Sequence, residues 1–144
     1  MVLSEAKRAF VERHRVAHLA TADAAGAPHV IPVCYALVGE HVYFVVDEKP
    51  KRTRTGLKRL RNIAANPQVA LVIDDYDDQD WTRLAYLLVQ GDATRVEEHA
   101  EYDRALTALR ARYPQYRTMP LACNTHPMVR ITPRRAHAWR ANER

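Results

Sequence analysis

Ser4 precedes a stretch, Glu5–Arg13, in which Ala6, Ala9 and Phe10 recur at helical spacing, so a short helix capped by Ser4 is predicted. The period then changes. Val16–Thr21 and His29–Leu37 read as strands on either side of the turn Asp23-Ala24-Ala25-Gly26. Gly39-Glu40 leads into a third strand, His41–Val46. Pro32 has no N–H to donate, which places the second strand at an edge or a bulge. Strands joined by turns this short predict an antiparallel meander rather than a βαβ unit. Asp47–Gly56 reads as a loop. Thr55 is a candidate cap for a helix over Leu57–Asn66, stopped by Pro67. Helical spacing puts Leu57, Leu60, Ile63 and Ala64 on one side of it and Lys58, Arg59 and Asn62 on the other.

Two further strands follow, Val69–Tyr76 and Leu84–Arg95, with the loop Asp77-Asp78-Gln79-Asp80 between them and Gly91 as a bend. Glu97–Arg112 is a helix whose Tyr102, Leu106 and Leu109, with Tyr113 beyond it, form a packing stripe. Tyr116–Pro127 is irregular. Met128–Thr132 and Ala136–Arg140 supply one or two closing strands around Pro133. Six or seven mostly antiparallel strands with two or three helices predict a mainly β (α+β) fold. The natural form is a small closed or split β-barrel with flanking helices, as one domain over residues 1–144.

Composition narrows the class. With 144 residues, 47% hydrophobic and 27% charged, the chain suits one domain with its own core. Its two cysteines, Cys34 and Cys123, form no CxxC pair, which argues against a disulfide scaffold or structural zinc and fits a reducing cytoplasm. No apolar run reaches the ~18 residues of a membrane span. The N-terminus turns amphipathic too early for a secretory signal. A cytoplasmic protein is expected, with no membrane partner.

The net charge of +5 has one source. Lys49, Lys51, Arg52, Arg54, Lys58, Arg59 and Arg61 fall in a single window without an acid, and the rest of the chain is close to neutral. A concentrated cationic segment on a near-neutral body suggests a site for a compact anion, most simply phosphate; a solvated basic loop is the plain alternative. A basic loop and helix could also grip a nucleic-acid backbone. The segment contains no aromatic residue for base stacking, which argues against that partner.

Other chemistry is absent from the motifs. The four glycines form neither GxGxxG nor a Walker loop, and there is no GxSxG elbow. His14 and His18 cross a predicted helix–strand boundary and make a poor metal pair. The acids Asp74, Asp75, Asp77, Asp78 and Asp80 fit no calcium-loop register and suit a solvated turn. Cys34 has no local base and reads as an inert buried thiol. No metal site and no catalytic residue can be named, so an enzyme of this sequence needs a cofactor to carry the chemistry.

Several segments carry a resemblance: Leu19-Ala20-Thr21, Gly26-Ala27-Pro28-His29-Val30-Ile31-Pro32-Val33, Val42-Tyr43-Phe44, Lys58-Arg59-Leu60-Arg61-Asn62-Ile63 with Asn66-Pro67, and Asp80-Trp81. In this order they resemble the pyridoxamine-phosphate-oxidase-like flavoproteins of the FMN-binding split-barrel type, and more closely the branch of F420-dependent oxidoreductases. The match runs from about residue 4 to residue 95 and weakens beyond. The resemblance implies a homodimer with a cofactor between subunits, transferring hydride between coenzyme F420, or alternatively FMN, and a small organic substrate. It implies that His29, Val30, Ile31, Pro32 and Val33 lie along the ring, with Val46 and Asp47 nearby. Lys58 and Arg59 would hold the phosphate, and Lys51, Arg52 and Arg54 the phosphate or an anionic tail. Trp81 would wall the ring or fill the dimer core. Pyridoxamine phosphate oxidases carry an Arg-Leu-x-Pro element near their end; this chain ends Trp139-Arg140-Ala141-Asn142-Glu143-Arg144 and lacks it, which argues against that substrate. Seven clustered cations favour F420, which carries a phosphodiester and several tail carboxylates, over FMN with its single phosphate. A flavin-storage protein, or a protein using the same groove to bind another ligand, stays open, since fold alone does not establish activity.

Overall fold

The computed structural model describes residues 1–47 and 54–142, and for residues 54–57 the backbone alone. Its elements in chain order are α1 (Glu5–Arg13), β1 (Ala17–Ala22), β2 (Pro28–Val33), β3 (Ala36–Val38), β4 (His41–Val45), α2 (Arg54–Ala65), β5 (Gln68–Asp75), β6 (Ala85–Arg95), α3 (His99–Arg112) and β7 (Met128–Arg140). Single 3₁₀ turns lie at Trp81–Arg83 and Pro114–Arg117. The Ser4 side chain accepts from the Lys7 amide and caps α1. No helix among the described residues is long and apolar enough to cross a membrane.

All seven strands form one antiparallel sheet in the order β2-β1-β5-β6-β7-β4-β3. This corrects the meander. The expected strand His29–Leu37 is two strands, β2 and β3, on opposite edges of the sheet, with Cys34 and Tyr35 between them. A flat sheet of seven strands would hold its edges roughly 29 Å apart, at about 4.8 Å per strand. The step from Val33 to Ala36 spans at most about 11 Å. The sheet must therefore curl until its edges meet, which makes it a split barrel. Pro32 lies on edge strand β2, where its missing N–H costs no ladder bond.

The seam is locked from both sides. The Tyr35 ring is buried, and its hydroxyl is shared between the carbonyls of Val11 (2.7 Å) and His14 (3.1 Å). Burial pushes this phenol well above its ordinary pKa. The Tyr35 amide donates to the Tyr113 hydroxyl, and its carbonyl accepts from Arg112 Nε at 2.9 Å. Arg112 also reaches the carbonyls of Glu12 and His14, and its guanidinium lies over the Tyr35 and Tyr113 rings. One arginine thus ties α1, the seam and the end of α3 together.

The closing segment is one strand, β7, rather than two. It pairs with β6 along its length, and the register shifts so that Gln90 faces Arg135 while Gly91 faces Pro133. Arg134 is the extra residue of this bulge. Gly91 is needed there because a Cβ would press into the Thr132 carbonyl, 2.9 Å from its carbon. Alternate residues of β1, β5 and β6 (Leu19, Leu71, Ile73, Leu87 and Val89) fill the barrel interior with Phe10, Val11 and Phe44. A second cluster under α3 joins Tyr102, Leu106 and Leu109 to Tyr43 and Met128.

The α3 packing is fastened by a charged group. Tyr43 donates to Glu101 Oε2 at 2.6 Å, and Arg130 reaches both oxygens of the same carboxylate at 2.8 and 2.9 Å. Burial would raise the Glu101 pKa, but these donors outweigh it and hold the group below the usual carboxylate value. Its stabilisation is therefore full above the unfolded value of about 4.3 and is lost as pH falls through the lower folded value. Glu101→Gln should reduce stability at neutral pH by about 1–2 kcal/mol and flatten the acid limb of a urea-denaturation pH series; an unchanged acid limb contradicts this assignment. Gly91→Ala should cost about 1–3 kcal/mol, read as a lower urea midpoint.

Candidate functional site

The basic segment enters helix α2 three residues earlier than its hydrophobic pattern suggests. The helix starts at Arg54, so Arg54, Thr55 and Gly56 are helical and Thr55 is not its cap. Lys49, Lys51 and Arg52 lie outside the described residues. Consecutive helix positions are about 100° apart, and the cations are spread accordingly. Lys58 and Arg61 are exposed, while Arg59 is only 7% exposed. The expected division of the helix is corrected here too: Arg59 and Asn62 are buried, and Ala64 is exposed. The reason is tertiary. α2 turns its polar Asn62 toward β1, where Nδ2 donates to Thr21 Oγ1 at 3.1 Å.

Thr21 pairs across the ladder with His29 of β2. The Nδ1 of His29 is enclosed and has no hydrogen-bond partner among the described residues. Just beyond, the β1–β2 turn is held by Asp23, whose carboxylate accepts from the amides of Ala25 and Ala27 at 2.9 Å each. The Ala27 bond, with the nearby Lys58 ammonium adding to it, holds the Asp23 carboxyl below its ordinary value. Lys58 thus lies within electrostatic reach of the β1–β2 turn.

Two open grooves lie at this end of the barrel. The first, about 530 Å³, crosses β1, β5, β6 and β7; its floor includes Ala20, Ala22, Ala70 and Gly91, with Pro28 at one end and Arg134 and Arg135 at the other. The second, about 500 Å³, lies between α2 and the β6–β7 pair and is lined by Leu60, Ile63, Pro67, Ala93 and Val129. Both volumes fall in the usual range of ligand sites. Among the described residues no three His, Cys, Asp or Glu side chains gather to hold a metal. The His14 ring is engaged by the Phe10 carbonyl and Asp75 rather than by His18.

A family model described as pyridoxamine 5'-phosphate oxidase matches residues 3–140. The chain belongs to that family. The shape agrees with several solved structures. A conserved hypothetical protein of Mycobacterium tuberculosis is 25% identical with a TM-score of 0.75, the match covering 99% of this chain and 88% of that one. HutZ, the heme storage protein of Vibrio cholerae, is 19% identical with a TM-score of 0.72, over 97% and 95% of the two chains. An FAD-binding protein of Mesorhizobium loti is 22% identical with a TM-score of 0.69, over 94% of each. No curated protein matches the sequence.

Within this pyridoxamine 5'-phosphate oxidase barrel, the site residues read from the sequence are spread over several places. Val30 and Pro32 face outward, Val30 being 61% exposed, while Ile31 and Val33 turn into the core. Val46 is buried, and Asp47 lies near Cys34 and Tyr116 at the opposite end of β2 from the groove. There, burial and the Asp47 carboxylate push the Cys34 thiol up, which suppresses its reactivity. Trp81 is 66% exposed on the β5–β6 connection, at the far end of β5 from the groove. Arg134 and Arg135, which line the groove, were not singled out by sequence reasoning. Their signal was Pro133 in mid-strand, since a bulge re-aims the side chains beside it. Because Asn62 fixes α2 to β1, Asn62→Ala should destabilise the protein by about 1–2 kcal/mol and raise amide exchange across α2; unchanged exchange there would remove this bond from the description of the site.

Proposed function

We propose that this protein binds a tricyclic redox cofactor, coenzyme F420 in preference to FMN, and acts as an oxidoreductase on a small organic substrate, as a homodimer. The observation that carries the reading is the outer groove of about 530 Å³ running from edge strand β2 across the sheet, with the cationic helix α2 packed on β1 and β6 at the same end of the barrel. An edge strand presents backbone N–H and C=O groups that the ladder leaves unused. Those groups can bond ring carbonyls and nitrogens without any particular side chain. The enclosed, unpartnered Nδ1 of His29 lies on the inner face of the same strand, beside Thr21 and outside the groove lining, and suits a water or another polar atom under α2.

The sequence supports F420 over FMN through the number of cations between Lys49 and Arg61, which exceeds the need of one phosphate. When bound, the deazaflavin supplies hydride transfer. The chain's part is to fix the ring against β2, to hold the phosphate charge at Lys58, and to shield the face where a substrate would lie. The outer sheet face supports pairing of two copies: Val30 stands exposed, and Trp139, 41% exposed, stacks on Tyr86 with 5.6 Å between ring centroids. A second copy laid on this face would roof the groove.

The deciding measurement is a fluorescence and absorbance titration of the purified protein with F420, FMN and heme side by side. The reading expects tightest binding of F420, and a Lys58→Ala variant that weakens it by about 1.5–3 kcal/mol, the scale of a charged hydrogen bond. Exclusive binding of FMN would transfer the function to a flavin, and binding of heme alone would remove the oxidoreductase reading.

A further inference from the structure

The strand registers fix the outward face of the sheet as a grid. In its central row, His18 of β1 faces Val72 of β5, Val72 faces Leu88 of β6, and Leu88 faces His137 of β7. The row on one side holds Ala20, Ala70, Gln90 and Arg135; the row on the other holds Asp74, Tyr86 and Trp139. The intervening residues Leu19, Leu71, Ile73, Leu87 and Val89 are buried, so these three rows face out. Most of the grid is apolar or small, and Val30, paired with Ala20 at its edge, and Trp139 are exposed. Two charges interrupt it. Asp74 and Arg135 are exposed, and neither has a hydrogen bond or an ion pair among the described residues. Asp92, in the groove lining, is neutralised by Arg134.

The two charges are placed symmetrically about Leu88. Asp74 lies one strand to one side of it and two residues along; Arg135 lies one strand to the other side and two residues the opposite way. At about 4.8 Å per strand and 3.4 Å per residue, each is roughly 8 Å from Leu88. They are therefore about 17 Å apart, too far to pair within one chain. A twofold interface uses the same patch on both copies, so that if one residue meets a second, the second also meets the first. A twofold axis lying in the interface at Leu88, across the line joining the charges, sets Asp74 of each copy against Arg135 of the other.

We infer that the outward face is self-complementary about Leu88, and that two Asp74–Arg135 ion pairs between copies set the register in which it packs on itself. This rests on the homodimer of the function proposed above and names the contact that orients it. Opposite charges across an interface fix register and reject the wrong one, and a guanidinium fork matches a carboxylate. Arg135 also lines the groove, so each copy completes the other's groove with a carboxylate.

The test is sedimentation velocity over a concentration series for the wild type, Asp74→Arg, Arg135→Asp and the double swap. Each single reversal sets like charges together at two places and should weaken the dimer about tenfold or more. The double swap restores opposite charges in the same positions and should return the dimer constant to within about threefold of the wild type. Both positions are exposed, so all three variants should keep the wild-type circular dichroism spectrum. A wild-type dimer that either single reversal leaves unchanged, or a double swap as weak as the singles, overturns the register while leaving the homodimer intact. A wild type that stays monomeric throughout the series overturns the homodimer and this inference with it.

Discussion

Cys34 and Tyr35 carry the chain from one edge of a seven-stranded sheet to the other. Everything else in the fold answers to that short step. It forces the sheet to curl, and a curled sheet of this size leaves one interior to be filled and one outer face to be used. The interior is filled by alternate aliphatic residues of β1, β5 and β6 together with Phe10 and Val11 of α1. The seam itself is held by polar bonds rather than by packing alone. Tyr35 is bonded through its amide, carbonyl and hydroxyl, to partners on both flanking helical segments. Each of those groups is enclosed, so breaking any one leaves a buried polar atom unsatisfied, which is costlier than the bond's net value.

The seam also explains where a ligand can go. Closing the barrel at Cys34–Tyr35 fastens the Val33 end of β2 beneath α1 and α3. The Pro28 end meets α2 and the β1–β2 turn instead, and there the two large grooves open. Asn62 and Arg59 are buried on this side because the barrel end must be covered, and a helix rich in cations is the element available to cover it. The Asn62–Thr21 bond makes that cover specific. The turn following α2 is anchored as well, with the Ala93 amide donating to the Pro67 carbonyl at 2.8 Å. The chain's cationic helix is thereby set against strands β1 and β6 at the edge of the outer groove.

Much of this was legible from residue order. The Ser4 cap, the strand alternation in β1, β5 and β6, the Asn66-Pro67 stop and the edge position implied by Pro32 are local signals, and each corresponds to an observed feature. The split barrel follows from the strand tally and turn lengths. What the sequence hides is long-range pairing. Nothing within His29–Leu37 states that its two halves bond to strands on opposite edges, because the apolar run is unbroken from Val33 to Val38 and only the ladder partners differ. The helix faces were hidden for a related reason. Hydrophobicity assigned Asn62 and Arg59 to solvent, yet a buried threonine on β1 supplies the partner that makes burial of Asn62 tolerable.

The candidate site was partly legible in the same sense. A run of seven cations on one stretch of chain suggests a single patch only while the stretch is imagined as a loop. Once its second half is a helix, neighbouring cations diverge by about 100°, and the burial of Arg59 against the exposure of Lys58 is the visible consequence. The positive charge in the groove lining comes instead from Arg134 and Arg135 of β7, more than seventy residues away, through a bulge that Pro133 and Gly91 create together. Proline removes a donor from the ladder, and glycine opens the space for the opposing carbonyl. Neither residue is charged, yet together they decide which arginine stands over the groove. The electrostatics of this site are therefore set by backbone geometry as much as by the count of lysines and arginines.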